Sequence, residues 1–383
     1  MTIIVCFFLW IEYRAASRLR PDKVDIQIDD LSSKPSDLTQ KDKASARSDH
    51  RRQTIWLWLW MIVLTVVYIP PNILTAVFLA NLSQLGKVWP YFQKRLEAHP
   101  KFWAVVQGVV APTLQQAFYY LLPAIFRRLI KRNLIKPSED VSNHKFQRER
   151  LVMNALYFFG LVNKLVVFSI LSSAWAFIVP LLNSQQSNKW QALKNAHLGL
   201  NLINTLCGTS MYWLTWHLPN YVQAAQDLLQ LDTLIFNFLA KRLGNPTPED
   251  VIEMSAPKDF KYATSYNSCL FAATVGLAFG AIQPVILPVV ALYFVLEAWS
   301  KEYLMRRVFF TKYESGGRFW PSVYNKFLVA VFLGDVVIAA VVAARGTWTM
   351  LFCMAPLLVI ILGFKWYCAR TYDSSFEDLR KSS

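Results

Sequence analysis

The sequence predicts an all-α polytopic membrane protein of about eight transmembrane helices, and three observations lead there. Hydrophobic residues make up 54% of the 383 and charged residues only 17%, against about 45–50% and about 25% in soluble globular chains. The charges are clumped, and the apolar stretches between the clumps are long enough to cross a hydrocarbon core of about 30 Å. The 40 Lys and Arg, set against 25 Asp and Glu, flank those stretches instead of studding a polar surface. Flanking cations act as topology determinants. The net charge of +15 is therefore no nucleic-acid footprint, which would need basic residues interleaved with a folded polar surface. A single soluble domain, a disordered chain and a disulfide-stapled secreted scaffold are excluded.

Residues 1–11 (MTIIVCFFLWI) are apolar but too few to cross a bilayer, and they run straight into Glu12, Tyr13 and Arg14 without a small-residue cleavage site. They read as a β-strand followed by a short helix, Tyr13–Leu19, and the polar, mixed-charge residues 21–53 read as a flexible cytoplasmic linker. From Thr54 eight candidate spans follow, at 54–80, 104–130, 151–181, 196–221, 264–282, 284–309, 322–344 and 348–369, so that 54–370 is the transmembrane region and 371–383 a cytoplasmic tail. Pro70-Pro71 is expected to kink the first span, and Pro112 and Pro123 the second, because each proline frees a carbonyl. With both termini cytoplasmic, most of the 40 basic residues lie on the cytoplasmic side, as the positive-inside rule requires. Asn81-Leu82-Ser83 then falls on the outer face as a weak glycosylation sequon. The fourth span is expected to continue past the membrane as an amphipathic helix over 222–243, followed by a proline-broken connection that is either a linker or a surface-lying element.

Polar groups inside the spans are the candidate functional residues, because ionisable groups at bilayer depth are expensive and face cavities or partners. Lys164, beside Asn163 near the middle of the third span, is expected to face a wet cavity. The fourth span carries Asn201, Asn204, Thr205, Gly208, Thr209, Ser210, Tyr212 and His217, of which Asn201, Asn204/Thr205 and Gly208 recur at helical spacing as one stripe. Such a stripe either lines a water-filled path or glues helices together. Gln107, Thr113, Gln115 and Gln116 add amide character to the second span. Gly208 is the expected hinge of an otherwise continuous fourth helix. Gly276 and Gly280 form a GxxxG packing motif. Glu297 and Asp335 are isolated acids that read either as a buried pair or as lipid-headgroup contacts. The five cysteines form no CxxC pair, and His197 and His217 have no acidic or cysteine companion, so no metal and no cofactor is expected. No phosphate loop, HExxH, GxSxG or paired catalytic carboxylates occur, and an enzyme is the weakest reading.

Four motifs in register carry a family resemblance. Tyr313-Glu314-Ser315-Gly316-Gly317-Arg318-Phe319-Trp320-Pro321 resembles the YETGGRFWP-type segment of the OSCA/CSC stress-gated cation channels. Gln283-Pro284-Val285-Ile286-Leu287-Pro288 with Tyr293-Phe294, Thr247-Pro248-Glu249-Asp250 with Ala256-Pro257-Lys258-Asp259-Phe260-Lys261-Tyr262, and Gln107-Gly108-Val109-Val110-Ala111-Pro112 with Leu121-Leu122-Pro123 are similar to three further passages of that family, in the same order. The resemblance implies an anoctamin-like channel core whose pore helices are the first five spans, and a mechanosensitive or osmosensitive, calcium-permeable cation channel subunit of the plasma membrane. It implies membrane lipids and permeant cations (calcium, potassium and sodium) as partners, assembly as a homodimer, and no nucleic acid. Asn163, Lys164, Asn201, Asn204, Thr205, Gly208, Tyr212 and Gln115 become pore-lining candidates, with Gly208 as the gating hinge. Full members begin with three further membrane helices and a cytoplasmic RRM-like domain, of which residues 1–20 look like the last strand and helix. A lipid scramblase of similar architecture and a non-conducting truncated remnant are the competing readings.

Overall fold

The computed structural model describes residues 40–79, 82–133, 141–183, 203–204, 207–243, 249, 260–309 and 319–381. Helices dominate them, and no strand occurs among them. The strand and helix expected over residues 1–19 lie outside the described residues, as does most of the proline-broken connection after Leu243.

Helix α1 (Gln40–Ile73) begins well before the first span. Residues 40–53, expected as part of the linker, are therefore helical. This stretch has no glycine or proline and is rich in Ala, Lys, Arg and Gln, residues with high helix propensity, so the helix of the span runs on toward the N-terminus. Pro70 and Pro71 lie inside α1, and after Ile73 the helix widens into a π-helical stretch, Leu74–Leu79. Short helices α2 (Leu82–Val88) and α3 (Pro90–Ala98) lead to the second span. That span is α4 (Pro100–Val105), a π-helical turn (Val106–Val110), α5 (Ala111–Tyr120) and α6 (Leu122–Asn133). Pro112 has no N–H for the Gly108 carbonyl, which lies within the π-helical turn, and the break at Leu121 lies two residues before Pro123. The third span is α7 (Val141–Gly160), a π-helical turn (Leu161–Val167) and α8 (Phe168–Asn183). No proline explains this third π turn. It coincides with Asn163 and Lys164, and π-bulges of this kind recur at functional sites.

The fourth segment departs most from expectation. Instead of one continuous helix, the described residues show a turn at Thr209, then α9 (Ser210–Thr215), a turn at Trp216 and His217, α10 (Leu218–Leu229) and α11 (Leu231–Leu243). Pro219 cannot donate to the Thr215 carbonyl, so the chain breaks before it and restarts with the proline in the first turn. The amphipathic extension breaks again at Gln230, which sits in the left-handed region at φ 51. Its side-chain amide donates to the Asp227 carbonyl at 2.6 Å, which caps the end of α10 and holds the turn.

Helix α12 (Tyr262–Phe279) and α13 (Ile286–Arg307) form a tight hairpin, followed by α14 (Trp320–Arg345) and α15 (Trp348–Lys381). The 371–381 part of the expected tail continues α15 as helix. Among the described residues five helical segments are long and apolar enough to cross a membrane: Trp58–Ala76, Pro100–Lys131, Arg148–Trp175, Trp320–Arg345 and Trp348–Arg370. Among the other expected spans, α12 starts with a polar half (YATSYNS) and α13 carries Glu297, Lys301, Glu302, Arg306 and Arg307. The protein is an all-α polytopic membrane protein. Consistent with a lipid-facing surface, Val359, Leu362 and Trp366 of α15 and Ile62, Val66 and Val67 of α1 are each more than half exposed.

Helix α12 is the centre of the packing, in contact with α7, α13 and α14. A methyl group on Gly334 of α14 would lie 2.8 Å from the Leu277 carbonyl oxygen, so glycine there is what lets the two backbones touch. Gly276 and Gly280 face the returning α13: added methyl groups would meet Val290 at 3.2 Å and Leu287 at 2.8 Å. At one end of the bundle Arg127 pairs with Glu149 through two hydrogen bonds of 3.0 and 3.2 Å and donates to Thr264 at 3.1 Å, clamping α6, α7 and α12. Gly334→Ala is expected to destabilise the bundle by about 1–3 kcal/mol through overpacking. Gly363→Ala, where an added methyl meets nothing within 4 Å, is expected to leave thermal unfolding in detergent unchanged.

Candidate functional site

Polar side chains from four helical segments meet inside the bundle. Thr65 and Asn72 come from α1, Gln115, Gln116 and Tyr119 from α5, Asn163 and Lys164 from the third π turn, and Tyr212, His217 and Asn220 from α9, α10 and the turn between them. Asn163 donates to Thr65 Oγ1 at 3.1 Å and to the Phe159 carbonyl at 3.3 Å. The Asn163 carbonyl, lying in the π turn, accepts from Asn72 at 3.5 Å, the long limit for such a bond. Tyr119 donates to Asn72 Oδ1 at 3.1 Å, and Tyr212 to Gln115 Oε1 at 2.6 Å. Gln116 receives the Lys164 ammonium at 3.1 Å and passes its own N–H to Asn220 Oδ1 at 2.9 Å. A ring stack of Phe168 on Tyr212 at 4.5 Å, with Trp213 against Phe279 at 5.2 Å, walls the network on one side.

The network is incompletely satisfied by protein alone. Gln115 Nε2, Asn163 Oδ1, Asn220 Nδ2 and both ring nitrogens of His217 are buried with no hydrogen-bond partner among the described residues. Each such group costs about 1–3 kcal/mol if left bare, and several converging polar atoms are what a buried water needs. The arrangement therefore offers amide donors, one amide oxygen (Asn163 Oδ1) and an imidazole to water between the first four spans.

Lys164 is partly buried and has mainly aromatic neighbours. Its ammonium lies over the rings of Tyr119 (4.5 Å), Phe271 (5.2 Å) and Trp216 (5.3 Å), with Gln116 as its oxygen partner. The π turn of the third span and the short α5 bring these groups together.

The other sequence candidates divide. Gln115 and Tyr212 are buried in the network, and Asn163 is fully buried. Asn204 is exposed and accepts a hydrogen bond from Arg345 at 2.7 Å. Gly208 is exposed, and a methyl group there would meet nothing within 4 Å. Asn201 and Thr205 lie outside the described residues, as do Gly316, Gly317 and Arg318. Of that motif Phe319 is buried and stacks on Tyr262 at 5.8 Å, Trp320 opens α14, and Pro321 sits in its first turn. Sequence reading missed Thr65, Asn72, Tyr119 and Asn220. Asn72, an amide next to Pro71 within an apolar span, was the readable signal; Tyr119 and Asn220 had none beyond their residue type.

Glu297 takes Lys301, at 3.4 Å, as its partner, and Lys301 also holds Asp227 at 2.5 Å, tying α10 to α13. Asp227 is thus paired within the fold. Among the described residues no group of three His, Cys, Asp or Glu converges as a metal site. Lys301→Met is expected to destabilise by up to about 3 kcal/mol, the lower end for breaking a buried ion pair, because Asp227 is 35% exposed while Glu297, 8% exposed, is left buried and unpaired. Adding Glu297→Gln should recover part of that loss in thermal unfolding.

The chain is 22% identical over 301 residues to a hyperosmolality-gated Ca2+ permeable channel (1.6) of Arabidopsis thaliana, covering 78% of this chain and 37% of that protein. It is 23% identical over 299 residues to channel 1.3 of the same plant, with the same coverage. To a CSC1-like protein, ERD4, of Brassica juncea it is 24% identical over 323 residues, covering 83% of this chain and 41% of that one. The chain therefore spans less than half the length of the curated relatives it matches. The family described as the 7TM region of calcium-dependent channels matches residues 53–342, which contain the whole polar network. The chain belongs to that calcium-dependent channel family, of the OSCA/CSC kind.

Proposed function

We propose that this chain carries the conducting core of a calcium-permeable cation channel opened by osmotic or mechanical stress. The observation that carries the reading is the set of amide and hydroxyl groups between the first four spans, several of them buried without protein partners. Buried polar atoms of this kind hold water, and a side-chain oxygen such as Asn163 Oδ1 can replace part of a cation's hydration shell. Family membership and the names of the relatives support the same assignment. Calcium, potassium and sodium are the permeant ions in this reading, membrane lipids the second partner, a homodimer the assembly and the plasma membrane the site of action.

In this mechanism the broken fourth segment is the moving part. Membrane tension favours a state of larger in-plane area, and it shifts the equilibrium only by the difference it makes between closed and open states. The interruptions at Thr209 and at Trp216–His217 give α9 two points about which to reorient. Gly208 stands beside the first of them, with open space around it.

Purified protein in liposomes is expected to give stretch-evoked, cation-selective current in patch recordings. Well-folded preparations that stay silent under tension would reject the assignment, and rapid flipping of fluorescent lipids without current would favour the scramblase instead. Gly208→Ala, which has room for its methyl group, is expected to stiffen the segment and to stabilise by about 0.4–1 kcal/mol. Its signature is a higher tension threshold at unchanged unitary conductance.

A further inference from the structure

Two lysines inside the helical bundle have opposite surroundings. The Lys326 ammonium meets Asn154 Oδ1, the Ser322 carbonyl at 3.1 Å and Ser322 Oγ at 3.1 Å, one oxygen for each of its hydrogens. Lys164 has a single oxygen partner, Gln116 Oε1 at 3.1 Å. Its other hydrogens face Tyr119, Phe271 and Trp216, whose ring centroids lie 4.5, 5.2 and 5.3 Å from Nζ. Among the described residues no carboxylate pairs with it. Aromatic faces within about 6 Å of an ammonium attract it through the ring quadrupole, and sets of them recognise organic ammonium ions.

The walls are held by partners other than Lys164. Gln116 is oriented by Asn220 at 2.9 Å, and the Tyr119 hydroxyl by Asn72 at 3.1 Å. Trp216 packs edge-on against Phe271 at 5.0 Å. Phe271 fills the space beside Gly160, where a methyl group would approach its ring to 3.4 Å. Removing the lysine head group leaves these contacts in place, so the cage is a preformed site.

We propose that Tyr119, Trp216, Phe271 and Gln116 form a binding site for a small primary ammonium ion, which Lys164 occupies from within the chain. Calcium does not fit it, because that ion requires 6–8 oxygen ligands and the cage supplies one amide oxygen. The lysine stem holds its head group at the site at high effective concentration, so free ammonium ions do not compete in the intact protein. The cage shares Gln116 and Tyr119 with the polar network, but its test reads unfolding instead of current, so its failure and that of the channel assignment are separable.

Lys164→Ala empties the cage. In detergent, methylammonium chloride is expected to raise the unfolding temperature of purified Lys164→Ala protein saturably above that in sodium chloride at equal concentration, while the unsubstituted protein responds equally to both salts. Equal responses in the variant, or a methylammonium-specific rise in the unsubstituted protein, would overturn the proposal. Should Lys164→Ala not fold, the isosteric Lys164→Met decides. Trp216→Leu is expected to lower the unfolding temperature more when Lys164 is present than in the Lys164→Met background, and equal losses in the two backgrounds would sink the cage.

Discussion

The structure depends on one constraint: polar groups placed inside an apolar bundle have to be satisfied by one another, because lipid offers no hydrogen bonds. Asn72, Gln115, Gln116, Asn163 and Asn220 come from spans far apart in sequence, yet they bond one another, the tyrosines between them, Thr65 and Lys164. This mutual dependence fixes the register of the first four spans more tightly than apolar packing does, since Leu or Val can slide past a neighbour at little cost and a paired amide cannot. The three π turns serve the same end. Each lies in a span that contributes to the network, and the third shifts the helical phase at the point where Asn163 and Lys164 must face α1 and α5.

The remaining helices supply rigidity around that centre. Helix α12 is clasped on one side by α14 through Gly334 and on the other by α13 through Gly276 and Gly280. Ion pairs are used sparingly and where helices join: Arg127 with Glu149 links α6 to α7, and Lys301 with Asp227 links α10 to α13. The second of these attaches the far end of the broken fourth segment to a long, straight helix. The stretch between the turn at Thr209 and the Lys301 contact is a part of that segment interrupted by turns.

Much of the fold was legible because hydropathy and proline are strong signals. The membrane class, the helices and the perturbation of the first two spans near Pro70-Pro71 and Pro112 follow from the chain alone. The third π turn was not legible, since nothing in LVNKLVV differs in propensity from an ordinary helix; its cause is tertiary. The interruption of the fourth segment was readable at Pro219 but was obscured by the continuous apolar run around it. Residues 40–53 read in the opposite sense, because mixed charge suggests a linker even in a stretch without glycine or proline where Ala, Lys, Arg and Gln predominate. At the candidate site, Gln115, Asn163 and Tyr212 were found from their polarity, whereas the tyrosine and tryptophan that surround Lys164 read as ordinary aromatic core.

That last blind spot has a physical root. A buried lysine announces a partner, and sequence reasoning looks for a carboxylate or for water, the partners that cancel or screen charge. Ring faces do neither; they offer a fixed quadrupole at modest cost in desolvation. For a chain whose relatives pass cations, the difference matters. A carboxylate beside Lys164 would make a neutral pair, and water would leave a mobile screened charge. An aromatic cage fixes the lysine head group between the second, third, fourth and fifth spans with walls that carry no net charge of their own. Because Trp216 belongs both to that cage and to the turn that breaks the fourth segment, the Lys164 head group ties the third span to that turn.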